Sequence, residues 1–279
     1  MRRALWFLPA LVLACGERPR ASDAGGPGSK APARPTPAHA AEPPAAAPSA
    51  AAPAPALSVL APAPHHTLPA ELALHAPVDV VVPLDKPLRV THAGAEIAHA
   101  IVYLQGMCSD AKSADVWFEE ASKHGTVIAL RPDVPCMPER PGFKWPAEPG
   151  LIEARLERAL ELVKEQRGGQ LDTRVLTLVG YSQGSGRAEL LASRSPERYR
   201  HVVLGGHPGP VFVPHFQPPQ RVAFLGGDQE KTDDMRASDL ALQAAGVDSR
   251  FFLLPHSYHG TYGPEGQRVM SEVLQWLER

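Results

Sequence analysis

The stretch Arg174–Ser193, RVLTLVGYSQGSGRAELLAS, decides the fold that we expect for this chain. Its first part, Arg174–Val179, is rich in apolar and β-branched residues, as a buried strand is. Its last part, Arg187–Ser193, has the composition of a helix. Between them Gly180–Gly184 forms a G-x-S-x-G motif centred on Ser182. A strand, this motif and a helix in succession are typical of a nucleophile elbow.

The elbow explains why these residue types stand at these positions. The turn is so tight that it holds the serine in a strained conformation with its hydroxyl exposed, and side chains at Gly180 and Gly184 would collide with neighbouring elements. We therefore predict that Ser182 is a catalytic serine. The alternative is a glycine-rich turn in which Ser182 merely caps the following helix.

Composition divides the chain in two. The sequence has 279 residues, 31 prolines and a formal net charge of -2, and its Ala/Pro-rich part ends near residue 64. Residues 65–279 have the composition of one compact domain, which is large enough to bury a single core. Because the charge is near neutral and no basic block is present, nucleic acid is not expected as a partner.

The N-terminus is typical of an export signal. Residues 1–14 combine a positive start with a short apolar run, which predicts a signal peptide. The run ends in Val12-Leu13-Ala14-Cys15, which resembles a bacterial lipobox and predicts lipidation of Cys15. An ordinary signal peptide, with Cys15 incidental, is the alternative. Prolines that recur through residues 15–64 prevent a helix and predict a disordered, lipid-anchored linker.

These features predict a protein that is exported to the periplasm or the cell surface and held at a membrane by its N-terminal lipid. In such an oxidising compartment Cys108 and Cys136 form an even pair, and both follow the ends of neighbouring predicted strands. We therefore predict a disulfide between them, with two free thiols as the alternative.

Alternating strands and helices follow a short antiparallel beginning. Apolar runs near residues 71–74, 78–82 and 88–91 predict the strands of the antiparallel part, and from Ala100 onward the apolar periods predict a repeated strand–helix pattern. The predicted strands lie near Ile101–Leu104, Thr126–Leu130, Val175–Val179, Val202–Leu204, Val222–Leu225 and Phe251–Leu254, and the predicted helices near Ala114–His124, Leu151–Gln166, Met235–Ala245 and Gln267–Leu277. This pattern predicts an α/β fold with a mostly parallel central sheet flanked by helices.

Element order and motif spacing resemble the α/β-hydrolase superfamily from about residue 85 to the C-terminus. The resemblance implies the α/β-hydrolase fold and a catalytic triad in the chain order serine, acid, histidine. The serine is Ser182, the acid after the second strand beyond it is Asp228, and the histidine after the last strand is His259. In such a triad the imidazole accepts the serine proton, and the carboxylate orients the imidazole.

Two of these assignments have competitors. Asp233 and Asp234 are alternative acids, although a position at the start of a helix explains them more simply as capping residues, and Glu230 is a weaker candidate. His256 competes with His259, which we prefer because it precedes a glycine a few residues past the last strand.

The resemblance also implies an oxyanion hole made of two backbone N–H groups. One belongs to Gln183, the residue after the nucleophile, and the other to Met107 in the loop Gln105-Gly106-Met107-Cys108. Relatives often carry His-Gly in this loop, so Gln105 is a departure. A Cys108–Cys136 disulfide would be one way to hold the loop.

The substrate expected is a small carboxylic ester. Residues 205–221, where many lipases and esterases insert a lid, are too few for a large cap domain. Residues 134–149, with Met137, Phe143 and Trp145, either form a pocket for an acyl or leaving group or are a packed loop. No metal-ligand spacing or dinucleotide motif is present, so neither a metal nor a cofactor is expected. A peptidase of the same fold and a non-catalytic binding domain remain alternatives.

Overall fold

The computed structural model describes residues 68–69, 72–110, 112–139 and 141–279. The predicted signal peptide, Cys15 and the Ala/Pro-rich linker lie outside these residues. In chain order the elements are β1 (Val78–Val80), β2 (Leu88–Thr91), β3 (His99–Leu104), α1 (Asp115–Ala121), β4 (Thr126–Leu130), β5 (Val134–Pro135), β6 (Phe143–Lys144), α2 (Pro149–Gln166), β7 (Asp172–Tyr181), α3 (Gln183–Arg194), β8 (His201–Gly205), β9 (Arg221–Gly227), α4 (Asp233–Ala244), β10 (Asp248–Leu254) and α5 (Gly266–Leu277).

Eight of these strands form one sheet in the order β1-β2-β4-β3-β7-β8-β9-β10. All neighbouring pairs from β4 to β10 are parallel, whereas β2 pairs antiparallel with both β1 and β4. The parallel remainder of the sheet and the antiparallel strands near residues 78–82 and 88–91 are therefore confirmed. The strand predicted near residues 71–74 is not present among the described residues, where Leu74 forms only an isolated parallel bridge with His92. Since the carboxyl ends of parallel strands meet at one edge, the loops after β3, β4, β7, β8, β9 and β10 converge there.

Helices cover both faces of the sheet. Side chains of α2, α3 and α4 pack with one strand face in one apolar cluster, and those of α1 and α5 pack with the other face in a second cluster. Alternation along β3 shows the reason: Val102 and Leu104 belong to the first cluster and Ile101 and Tyr103 to the second. Each such aliphatic side chain contributes roughly 1.5–3 kcal/mol when it is fully buried, so the two clusters hold the strands in register.

One element was not anticipated from the sequence. The strands β5 and β6 pair antiparallel as a small hairpin within residues 134–149. A disulfide between Cys108 and Cys136 ties this hairpin to the loop after β3, which confirms the predicted pairing. In the part of the chain that the structure describes, no helix has the length and apolar character needed to cross a bilayer.

Candidate active site

Ser182 stands between the last residue of β7 and the first residue of α3. Its backbone has φ 51° and ψ −120°, a conformation that residues other than glycine adopt at a cost of about 1–3 kcal/mol. A side chain at Gly184 would overlap the carbonyl oxygen of Leu104, and one at Gly180 would overlap the backbone of Gly184. The Ser182 side chain makes no capping hydrogen bond to α3, so its hydroxyl is not used as a helix cap.

The hydroxyl instead faces a histidine. Ser182 Oγ lies 3.0 Å from His259 Nε2, although the two residues are 77 positions apart in the chain. The other ring nitrogen, His259 Nδ1, lies 2.7 Å from Glu230 Oε2. Serine, histidine and carboxylate are thus joined in the order that nucleophilic catalysis by a serine needs.

The carboxylate at His259 corrects the prediction for the acid. The sequence pointed to Asp228, but the structure brings Glu230 to His259. Asp228 accepts hydrogen bonds from the backbone N–H groups of His256 (3.0 Å) and Ser257 (3.1 Å). Its two oxygens are therefore occupied by the loop after β10, and the longer side chain of Glu230, farther along the turn, reaches the imidazole.

Burial and a second hydrogen bond fix the orientation of the Glu230 carboxylate. Its side chain is 7% exposed, and its second oxygen, Oε1, accepts a hydrogen bond of 2.7 Å from the Gly227 N–H. One oxygen is therefore fixed by the end of β9 while the other faces the histidine. Glu230 could have been found from its place in the turn between β9 and α4. Asp233 and Asp234 instead open α4, as expected of acids at a helix N-terminus.

His256, the competing histidine, occupies a different position in the same loop. It is exposed and has a positive φ of 54°, and its backbone N–H donates to Asp228. The structure therefore brings His259, not His256, to Ser182.

The charge on Glu230 shapes the acid–base behaviour of the histidine. Hydrogen bonding to Glu230 raises the pKa of His259, and partial burial opposes that rise. Tyr181 lies against the imidazole with 5.6 Å between ring centroids, and its hydroxyl oxygen accepts a 3.0 Å hydrogen bond from the Gly260 N–H. Backbone hydrogen bonds to His256 and Ser257 hold the pKa of Asp228 below its usual range.

No protein-family model matches this chain, and no curated protein matches it by sequence. Solved structures do match. They include an arylesterase (TM-score 0.52, 13% identity, 76% of this chain and 87% of that protein covered) and an α/β-hydrolase enzyme from the sediment metagenome of the lagoon of Mar Chica, Morocco (0.51, 12%, 72% and 98%). A thermostable esterase also matches (0.50, 16%, 72% of this chain), and this chain spans 62% of its length.

The chain has the α/β-hydrolase fold. The predicted fold class is therefore confirmed. At these identities the likeness establishes the architecture, and the chemistry has to be argued from the site itself.

In this α/β-hydrolase fold the loop after β3 lies beside the nucleophile. A Cβ atom at Gly106 would be 3.4 Å from the Cβ of Ser182, so the loop passes directly over the elbow. The Met107 N–H, one of the two predicted oxyanion donors, makes no hydrogen bond to another described residue. The second predicted donor, the Gln183 N–H, belongs to the first residue of α3, where helix N–H groups lack intrahelical acceptors.

A cavity of about 300 Å³ opens beside Ser182. Its wall is polar and aromatic, and includes Tyr103, Tyr181, Tyr262, Met107, Ser109 and His259. Buried Tyr262 and Tyr103, which are among the residues that line this cavity, are joined by a hydrogen bond of 3.2 Å between their hydroxyls.

The connection between β8 and β9, where a lid would be inserted in this fold, contains only a short 3₁₀ helix, Val213–His215, so no large cap is present there. His207 in this connection is occupied structurally: Nε2 lies 3.1 Å from Glu189 Oε2 and Nδ1 lies 2.8 Å from the Gly209 carbonyl. Among the described residues, no group of three or more His, Cys, Asp or Glu side chains is arranged to hold a metal ion.

Proposed function

We propose that this protein is a serine hydrolase that cleaves small carboxylic esters through an acyl-enzyme. The observation that carries the proposal is the continuous chain of Ser182 Oγ, His259 and Glu230, with contacts of 3.0 and 2.7 Å. A serine hydroxyl that lies on a strained elbow and beside an imidazole with its own carboxylate has the groups needed for nucleophilic attack.

The proposed reaction proceeds in two halves. Ser182 Oγ attacks the ester carbonyl carbon while His259 accepts its proton, and Glu230 stabilises the imidazolium that forms. His259 then gives the proton to the departing alkoxide, so the alcohol leaves and an acyl-Ser182 ester remains. A water molecule, deprotonated by His259, attacks this ester and releases the carboxylic acid and free Ser182. Glu230 thus takes the role that the sequence suggested for Asp228.

Negative charge develops on the carbonyl oxygen in both halves. We assign its stabilisation to the backbone N–H groups of Met107 and Gln183, which come from the two elements that flank the nucleophile. Preorganised donors of this kind contribute on the order of 10²–10³ in kcat each.

The proposed substrate has a short acyl chain. A cavity of about 300 Å³ beside Ser182, with Tyr103 and Tyr262 among its lining residues, leaves little room for a long apolar chain. The His259 side chain is 51% exposed, and we propose that the alcohol group of the ester leaves on this open side, so that a range of alcohol groups can be accommodated.

Ester hydrolysis by the full chain and by Ser182→Ala tests the proposal. We expect turnover of p-nitrophenyl acetate or butyrate well above that of the palmitate ester, and a loss on the order of 10⁴-fold or more in the variant. A fluorophosphonate probe should label the wild type and not Ser182→Ala. Equal background rates and no labelling would favour a non-catalytic binding domain, whereas turnover of peptide amides above esters would favour a peptidase.

We further propose that the chain is exported and anchored by lipid on Cys15, at the periplasmic side of a membrane or at the cell surface. The N-terminal sequence supports this, and the Cys108–Cys136 disulfide suits an oxidising compartment. Metabolic labelling with a palmitate analogue in a bacterial host should mark the wild type. The same label on Cys15→Ser, or none on the wild type, would contradict lipidation at this residue.

A further inference from the structure

Trp145 is a buried side chain at the elbow that the proposed chemistry leaves unused. It follows β6 directly and is 2% exposed. Its indole N–H donates a 2.7 Å hydrogen bond to the carbonyl oxygen of Gln105, and its backbone N–H donates a 2.8 Å hydrogen bond to Oε1 of Gln183. Trp145 therefore links the loop after β3 to the start of α3, two segments that are far apart in the sequence.

Those two elements carry the proposed oxyanion donors. Gln105 begins the loop that presents the Met107 N–H, and Gln183 supplies the second N–H from its own backbone. The side chain of Gln105 also closes its loop, because Nε2 donates a 3.2 Å hydrogen bond to the Ser109 carbonyl. Trp145 thus spans from one donor segment to the other.

The hairpin that precedes Trp145 holds the far side of the same loop. The Cys108 N–H donates a 2.7 Å hydrogen bond to the Phe143 carbonyl, and Cys108 is bonded to Cys136. The Met107 donor is therefore fixed on both sides, at Gln105 by Trp145 and at Cys108 by the hairpin. Since buried hydrogen bonds are costly to break, this arrangement resists displacement of the loop.

We propose that Trp145 is a positioning residue for the oxyanion hole, which sets the separation of the Met107 and Gln183 N–H groups. The inference rests on the proposed function. Oxyanion donors act when they lie about 2.7–3.1 Å from the oxygen of the transition state. A displacement of about 1 Å in a catalytic group can cost about 10²-fold in rate, so a link between the donors has a direct kinetic consequence.

Two substitutions cut the two hydrogen bonds separately. Trp145→Phe removes the indole donor to Gln105 and keeps the backbone N–H that binds Gln183. Gln183→Met removes the side-chain acceptor and keeps the proposed backbone oxyanion donor. For each we expect kcat to fall by about 10- to 100-fold, with KM for a short-chain ester within about twofold of the wild type.

A trifluoromethyl ketone analogue of the substrate gives a readout that a purely structural role would not move. Ser182 Oγ adds to its carbonyl carbon, the serine proton passes to His259, and the carbonyl oxygen becomes an oxyanion. The affinity for this compound should fall in step with kcat in both variants. The affinity for the matching secondary alcohol, which forms no oxyanion, should not change.

Trp276→Phe is the matched control. Trp276 is another buried tryptophan, 8% exposed, that packs on Phe252 near the end of α5 and away from the elbow. Its substitution should leave kcat and the ketone affinity unchanged. If Trp145→Phe does not fold by circular dichroism, Gln183→Met, which leaves the core intact, decides the test.

The outcomes separate the two proposals. A wild type that hydrolyses no ester above Ser182→Ala contradicts the proposed function itself. An active wild type, with parallel losses of kcat and ketone affinity in the variants, supports positioning by Trp145. An active wild type whose folded variants keep full ketone affinity overturns the inference and leaves Trp145 as a packing residue.

Discussion

Histidines at the two edges of the central sheet have opposite acid–base properties. At the carboxyl edge, Glu230 raises the pKa of His259, whose side chain is 51% exposed. At the opposite edge, where the parallel strands begin (the amino edge), His99 and His201 are the first residues of β3 and β8. Burial lowers the pKa of both histidines, that of His201 to about 4. The neighbour that the two amino-edge rings share is the Thr177 hydroxyl, 2.8 Å from His99 Nε2 and 3.4 Å from His201 Nδ1.

The difference shows why His259, rather than an amino-edge histidine, suits the proposed role of a general base. A neutral hydroxyl does not compensate for the loss of water around an imidazolium, so burial lowers the pKa of both amino-edge rings. A carboxylate does compensate for that loss, and partial exposure of the His259 ring lets it exchange protons with solvent. A carboxylate partner alone does not single out the proposed catalytic histidine, since His207 and His215 both contact Glu189. His259 differs because its other ring nitrogen faces Ser182 Oγ.

The largest effect is expected from Glu230→Gln, which keeps the side-chain shape and removes the charge that distinguishes His259 from the amino-edge histidines. We expect kcat for a short-chain ester to fall by about 10³- to 10⁴-fold, because the imidazolium loses its counter-charge and the tautomer is no longer fixed. The acid limb of kcat/KM should also move to lower pH. The base must be neutral to accept the Ser182 proton, and its pKa falls without Glu230. Unchanged kcat together with an unmoved acid limb would contradict the role of Glu230.

A second test addresses the amino edge through stability. Folded His201 has its pKa lowered from 6.5 to about 4, so below pH 6.5 the unfolded chain binds more protons than the folded one. The free energy of unfolding should therefore fall as the pH drops from 6.5 towards 4. Partial contact of the ring with water limits this loss to on the order of 2 kcal/mol.

His201→Gln should remove that part of the acid sensitivity. Urea unfolding of the full chain at pH 8 and at pH 4.5 measures it, since at pH 8 the ring is neutral in both states. The variant should lose less stability than the wild type between these two pH values. An equal loss in both proteins would show that the amino-edge histidine is not held neutral by burial.

The smallest expected effect belongs to the other carboxylate. Asp228→Asn keeps one of the two acceptors for the His256 and Ser257 N–H groups, so the loop that carries His259 is only partly loosened. We expect kcat to fall by less than about tenfold, and the acid limb to stay where it is in the wild type. A fall as large as that of Glu230→Gln would return the acid role to Asp228.

Several elements could be predicted because their signals are local. The strand β4 was predicted over its observed bounds, and α2 and α5 within one or two residues at each end, since apolar periodicity and helix-start residues act over a few positions. The hairpin of β5 and β6 was missed, because strands of two residues are too short to show a period.

The features of the site also divide into those that the local sequence predicts and those that depend on distant contacts. The tight turn at Ser182 requires glycine at Gly180 and Gly184 through contacts with adjacent elements, so the G-x-S-x-G motif and its flanks determined the elbow and the fold that contains it. Whether Asp228 or Glu230 contacts His259 depended on the loop that carries His259, because backbone N–H groups of that loop bind one of the two carboxylates. The link from Trp145 to Gln105 and Gln183 joins residues about 40 positions apart. Such contacts follow from the path of the whole chain, so the tertiary structure alone decided them.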